Sequence, residues 1–154
     1  MSDQEIVEFA SPTLAGLKTG CLFGQYFSGE EDMRRQVREY NRRFAGTDLC
    51  LIPLQYHDGR ALLYLYRPDR LRDDFREPLA CRLLRNDGYP ICSQAACLRR
   101  LAARISLNKM VGSFPHEIGL FLGYPPEDVE GFILQGPGQC KCTGYWKVYG
   151  DVVH

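Results

Sequence analysis

The chain has no net charge, few histidines and no long apolar run. Nineteen Lys and Arg residues balance nineteen Asp and Glu residues, so the formal net charge at pH 7 is zero. A chain without excess positive charge does not attract nucleic acid or an anionic membrane from a distance. No apolar stretch approaches the roughly 18 residues that a membrane-spanning helix needs. We therefore expect neither a nucleic-acid partner nor a membrane partner.

The amino terminus, Met-Ser-Asp-Gln-Glu-Ile-Val-Glu, also lacks the basic and then apolar pattern of a signal peptide. Seven cysteines are an odd number, which does not suit a disulfide framework in a chain without an export signal. These observations predict a cytoplasmic protein with reduced thiols. The 154 residues, 45% of them hydrophobic, are typical of one globular domain, so we expect 1–154 to form a single domain.

Helix and strand signals alternate in the first third of the chain. Ser11 followed by Pro12 has the form of a helix start, and Gly20 that of a helix stop, which predicts a short first helix. The apolar and aromatic run 21–27 predicts a strand, in which Gly24 suggests a bulge or a close backbone approach. A second helix is predicted over 30–44, because apolar residues recur at helical spacing between an acidic start and a basic end.

The middle of the chain predicts a β-hairpin followed by helices. The apolar runs 49–56 and 61–66 are joined through Asp58-Gly59, a dipeptide typical of tight hairpin turns. Neither run alternates clearly, so we expect both faces of the sheet to be covered, although Pro53 removes one donor. Helix signals follow over 68–76, 78–85 and 93–106.

A late strand is predicted over 144–149, where Trp146 and Val148 alternate with Tyr145, Lys147 and Tyr149. The expected fold is therefore α+β: one domain with a small sheet that contains the hairpin and this late strand, packed with several helices.

The segment 115–134 predicts two helices joined by a tight turn at Gly123. A DNA-binding motif of this shape presents basic residues to phosphate, but here the second helix begins with Glu127, Asp128 and Glu130. Structural packing is the better interpretation.

Three segments, 11–20, 114–133 and 140–151, resemble the bacterial family called domain of unknown function 3793, and the resemblance spans essentially the whole chain. It implies neither an activity nor a cofactor. The family pattern often has His-Cys ahead of Ser11 and a charged helix after Asp151, so we expect no role here for that thiol or that helix. The segments contain the candidates for ligand binding. These are Lys18, His116, Glu117, Trp146 and Asp151.

His116 and Glu117 are predicted to lie in the first turn of a helix. Glutamate is favoured there by the helix dipole, and histidine often bonds only to backbone. The alternative is that His116 carries a proton or binds a metal with Glu117 nearby. Adjacent residues do not share a helical face, and no His-Glu-x-x-His spacing occurs, so the structural interpretation is favoured.

Cys140 and Cys142 point the same way if the segment is extended, so the two thiolates, with His116, are candidate ligands for zinc or iron. A zinc site normally needs four ligands, and buried unreactive cysteine is the commoner case. Cys21 is expected to pack in the core. The arginines on the helix predicted over 93–106 are expected to form a solvated face. They are Arg99, Arg100 and Arg104.

Three functions remain open. The first is a small-ligand, metal or thiol binding module built on the cysteines and His116. The second is a non-catalytic interaction module that docks a protein partner through Tyr124, Tyr145 or Tyr149. The third is a thiol-dependent enzyme with His116 as its base. Oligomeric state and ligand identity do not follow from the residues.

Overall fold

A computed structural model describes residues 1–109 and 114–135, which form an α+β fold. Within these residues there are seven helices and one three-stranded antiparallel sheet, as the sequence predicts in class. In chain order the elements are α1 (Asp3–Leu14), β1 (Gly20–Tyr26), α2 (Glu30–Phe44), β2 (Cys50–His57), β3 (Arg60–Tyr66), α3 (Pro68–Phe75), α4 (Pro78–Asn86), α5 (Gln94–Lys109), α6 (Ile118–Leu122) and α7 (Pro126–Gln135). The late strand predicted at 144–149 lies outside the described residues.

The sheet has the order β1-β3-β2, so β3 lies between the other two strands. The predicted hairpin joins β2 to β3 through Asp58 and Gly59, whose φ angles of 52° and 80° are those of a tight two-residue turn. The strand β1 then pairs with the far side of β3. All three strands were predicted from their apolar runs.

Both faces of the sheet are covered, as the weak alternation predicts. Leu62 and Tyr64 of β3 face a core made with α3 to α7, and Leu63 and Leu65 face a second core made with α1 and α2. The successive side chains of a strand point to opposite faces, which explains this division. Every residue of β3 from 61 to 66 is buried.

The first helix begins earlier than predicted. Ser2 caps α1, because its Oγ accepts from the backbone N–H of Glu5 at 3.2 Å. Ile6 and Ala10, four residues apart, bury one face of the helix against the sheet. Pro12, which predicted a helix start, lies inside the helix instead. The prediction was wrong because an apolar face shared with the sheet outweighs the local preference of Pro for a first turn.

Two arginines fix the chain after α1, which has no basic residue of its own in its last turn. Arg67 donates from Nε to the carbonyl of Thr13 and from Nη2 to that of Leu14, both at 2.9 Å. Arg70 donates to the carbonyl of Gly16. These charged donors satisfy carbonyls at the helix end and set the path into β1.

The remaining predicted helices are confirmed within a few residues at each end. The pair α6 and α7 forms the predicted tight hairpin, with Gly123 at φ 94° ending α6 in the left-handed conformation. The hydroxyl of Tyr64 donates to the carbonyl of Phe121, which ties α6 to the central strand. Among the described residues, no helix is both long and apolar enough to cross a bilayer.

Candidate functional site

A cluster of charged and polar side chains lies where α4, α5 and α6 meet. Asp87 ends α4, and Arg104 lies on α5. His116 and Glu117 occupy the turn before α6, where the N–H of Ile118 bonds to the carbonyl of Pro115. One ligand atom from each of Asp87, His116 and Glu117 lies within 4.8 Å of the other two. The fold therefore brings together residues from two distant parts of the sequence.

Glu117 is the buried member of this cluster, with 0% of its side chain exposed. Its Oε2 accepts from the hydroxyl of Tyr89 at 2.7 Å and from Nε of Arg104, and its Oε1 accepts from Nη2 of Arg104 at 3.2 Å. A buried carboxylate is stable only when it is paired and hydrogen-bonded in this way.

The contacts of Glu117 change the ionisation of its two partners. The hydrogen bond to Glu117 raises the pKa of Arg104 above its ordinary value. Burial, and then the charge of Glu117, raise the pKa of Tyr89 far above the usual range for tyrosine. Both partners therefore keep their protons, and both remain hydrogen-bond donors to the carboxylate.

Asp87 faces both Arg104 and His116. Its Oδ1 lies 3.8 Å from Nη2 of Arg104, and its Oδ2 lies 3.6 Å from Nε2 of His116. Its backbone carbonyl accepts from Nη2 of Arg100 at 2.9 Å, which holds the end of α4 against α5. The next residue, Gly88, has φ 82°, and a Cβ there would lie 2.9 Å from Nη2 of Arg100. Glycine thus permits this close approach.

His116 completes the cluster and opens it to solvent, because 42% of its side chain is exposed. Its Nε2 lies 3.6 Å from Oδ2 of Asp87 and 3.7 Å from Oε1 of Glu117. In a tetrahedral zinc site with ligand bonds of 2.0–2.1 Å, ligand atoms are about 3.3 Å apart. The two distances from Nε2 of His116 are therefore close to those between neighbouring ligands of one small cation.

The structure corrects one prediction about this region. Arg99 and Arg100 are exposed, as expected for a solvated face. Arg104 is not part of that face, because its side chain is only 22% exposed and pairs with Glu117 and Asp87. The helical spacing correctly placed Arg104 on the polar side of α5, but it carried no information about acidic residues on the neighbouring elements.

Because His116 and Glu117 are adjacent in a predicted helix, the sequence predicted that their side chains diverge. They lie in a turn instead of a helix, so both reach the same point. Asp87 was missed by sequence reasoning, and no signal in the sequence links it to His116, because only the packing of α4 against the later helices brings them together.

Lys18 lies in the loop between α1 and β1 instead of at a helix end. Burial lowers its pKa from the ordinary 10.5 to about 8. Its Nζ is 5.4 Å from the centre of the Tyr124 ring, a distance at which an ammonium group is attracted to an aromatic face. Tyr124 is half-buried and packs against the core.

Two of the described cysteines pack in the core. Cys21 and Cys97 are buried, and burial raises the pKa of each thiol from 9.0 to about 11. Core packing of Cys21, as predicted, is confirmed. The other sequence candidates lie outside the described residues. These are Cys140, Cys142, Trp146 and Asp151, together with Tyr145 and Tyr149 as candidates for a docking surface.

The fold and the cluster define an α+β domain that encloses an Asp-His-Glu centre in one helical layer. Residues 6–154 match the model of the family described as protein of unknown function, DUF3793. The chain belongs to that family, as the resemblance of its three segments indicates. No curated protein and no solved structure matches it. The family description carries no activity, so function has to be argued from the site.

Proposed function

We propose that this protein is a metal-binding module that holds a divalent transition metal between Asp87, His116 and Glu117. The observation that carries the proposal is the convergence of one ligand atom from each of these residues within 4.8 Å of the other two. One imidazole and two carboxylates form a donor set that suits zinc or ferrous iron. The proposal keeps the binding-module hypothesis from the sequence and keeps His116 as a metal ligand, but it uses Glu117 and Asp87 in place of Cys140 and Cys142.

The electrostatics of the cluster support a bound cation. Nε2 of His116 points toward two carboxylate oxygens, at 3.6 and 3.7 Å. A cation placed among this nitrogen and the two carboxylate oxygens would interact favourably with all three atoms. Arg104 offsets one of the two carboxylates, which leaves an excess negative charge on the side of His116.

The surroundings of the carboxylates also suit metal binding. Tyr89 and Arg104 hold Oε2 of Glu117, while Oε1 accepts from Nη2 of Arg104 and also lies 3.7 Å from Nε2 of His116. Asp87 has one oxygen near Arg104 and the other near His116. Partners that fix the outer oxygen of a ligating carboxylate typically raise metal affinity by about 10–100-fold.

The exposed side of His116 leaves room for further ligands. Three protein ligands with an open position are typical of sites that bind a water or a small ligand on the metal. We therefore infer that the module presents its metal to a small ligand through this side. Glu117 and Asp87 would supply charge, and His116 would supply the ligand atom nearest to solvent.

The test is metal binding by the full chain. Protein purified anaerobically is stripped of metal and titrated with Zn²⁺ and Fe²⁺, with affinity and thermal stability as readouts. His116→Ala is expected to weaken binding at least about tenfold. His57→Ala is the matched control, because His57 also lies near a carboxylate, at 3.1 Å from Asp58, but on the exposed hairpin turn.

Two outcomes would contradict the proposal. The first is equal metal affinity in wild type, His116→Ala and Asp87→Asn. The second is loss of binding only in the double variant Cys140→Ser/Cys142→Ser, which would place the metal at the thiols. Far-ultraviolet circular dichroism of each variant distinguishes lost binding from lost folding.

A further inference from the structure

The two outer edges of the sheet differ in how their outward backbone N–H and C=O groups are hydrogen-bonded. At β2, the side chain of Asn41 donates to the carbonyl of Leu51 and accepts from its N–H, both at 2.8 Å. These backbone groups therefore point away from β3. Pro53, two residues further along, occupies an equivalent outward position, so its missing N–H costs no bond to β3. The edge at β2 is thus closed by side chains.

The outer edge of β1 has no such cover from the described residues. Thr19 and Phe27 bond to the β3 side of the sheet, through their C=O and N–H respectively. In an antiparallel ladder alternate residues point the other way, so the N–H and C=O of Leu22 and Gly24 face outward. Within residues 1–109 and 114–135, no strand pairs with this side of β1. An edge of this kind is a template for another strand.

We propose that the segment 145–149 of the same chain pairs with the outer edge of β1 as a fourth strand. Its alternation between Gly144 and Gly150 predicts a strand of five residues. The described strands are seven or eight residues long, so a five-residue partner fits along β1. The proposal does not depend on the metal site.

The side chains of the segment match the environment beside β1. Leu22 belongs to the core under α3 to α7, and Phe23 to the core under α1 and α2. A strand placed next to β1 is therefore flanked by apolar material on both faces. The segment carries Trp146 and Val148 on one face, and Tyr145 and Tyr149 flank Lys147 on the other, so aromatic side chains are available to both faces.

Gly24 adds a second reason. It lies in the middle of β1, opposite Leu62 of β3, and contributes no side chain to either core. A glycine in an edge strand is commonly shielded by an aromatic residue on the neighbouring strand. Three of the five residues in 145–149 are aromatic.

The segment is also within reach of β1. The helix α7 ends at Gln135, and it packs against α6, which itself packs against β1. Nine residues, 136–144, connect α7 to the segment, and an extended chain of that length spans about 30 Å. This exceeds the length of any described strand.

Amide hydrogen exchange and NMR on the full chain test the proposal. In the wild type we expect the amides of Leu22 and Gly24 to exchange at least about tenfold more slowly than in an unfolded chain. We also expect backbone nuclear Overhauser effects between these residues and 145–149. These measurements need no variant, so they stand even if a substitution prevents folding.

Proline variants identify the partner strand. Adjacent residues of a strand direct their N–H groups to opposite sides, so only one of the variants Lys147→Pro and Val148→Pro removes an N–H directed at β1. The variant that does so is expected to lose the protection of Leu22 and Gly24. Val152→Pro is the control and should keep it. Rapid exchange in the wild type would overturn the proposal, as would protection that survives both proline variants. Protection that depends on protein concentration would assign the edge to a second copy and would also overturn it.

Discussion

The helices α1 and α2 cover one face of the sheet with apolar side chains, whereas the helices on the opposite face enclose charged groups. On the first face, ion pairs occur at the rim, as between Arg43 and Asp3, which are 61% and 65% exposed. On the second face, Glu117 is fully buried with its partner Arg104. The first face shows that this sheet can be covered without a buried charge. The proposed metal site would account for the charged cluster on the second face.

The largest expected effect comes from removing the cation that pairs with Glu117. Arg104→Met leaves a buried carboxylate with only Tyr89 as a donor, which should destabilise the fold by about 3 kcal/mol, at the lower end of the range for buried pairs because Arg104 is partly exposed. Denaturant unfolding measures this. Arg99→Met, on the exposed side of α5, is the control and should change little.

The double variant Arg104→Met/Glu117→Leu sharpens the same comparison. It replaces the pair by apolar groups, as on the other face, and is expected to recover most of the lost stability. A double variant less stable than Arg104→Met would show that the region does not tolerate an apolar replacement.

The next effect is expected on the apolar face. Met33 of α2 is 1% exposed in the core with α1, and Met33→Ala should destabilise the fold by at least about 2 kcal/mol, because it leaves a cavity. Metal affinity should stay unchanged, since the site lies across the sheet. A parallel loss of metal affinity would show that the two faces are not independent.

A smaller effect is expected at Asn41, a polar anchor between α2 and the sheet edge. Asn41→Ala leaves the outward N–H and C=O of Leu51 without their side-chain partner, which should cost about 1 kcal/mol or more. Thermal unfolding measures the change, with exposed Arg42→Ala as the control. Equal melting temperatures for the two variants would remove this role.

The smallest effect is expected from the ionisation of Lys18. The pKa of Lys18 falls to about 8 through burial, whereas pairing raises the pKa of Arg104. Between about pH 8 and 10.5 the unfolded chain therefore binds more protons at Lys18, so its contribution to stability rises with pH through this window. Cys21 opposes it above pH 9, because its pKa rises from 9.0 to about 11.

The range from pH 8 to 9 isolates the contribution of Lys18. Wild type should gain stability there relative to Lys18→Met in denaturant unfolding. Labelling of the amine at Lys18, followed by mass spectrometry, should reach half its maximal rate near pH 8 instead of above pH 10. A midpoint near the ordinary 10.5 would contradict the effect of burial.

Much of the fold followed from local patterns. The hairpin at Asp58-Gly59 and the helix 30–44 were predicted because turn chemistry and helical periodicity act over a few residues. The start of α1 was wrong, since the apolar face of Ile6 and Ala10 acts through the sheet. The site was predicted only in part, because the Asp87 contacts to Arg104 and His116 arise where α4 meets α5 and the turn before α6.

The order β1-β3-β2 has a consequence during synthesis on the ribosome. The strand β1 is made first, but its partner β3 follows only after residues 27–59. At about 5–20 residues per second, β1 waits several seconds for that partner. During this interval it is a nascent strand without its partner β3, and only α1 and α2 are available to shelter its apolar side chains from other chains.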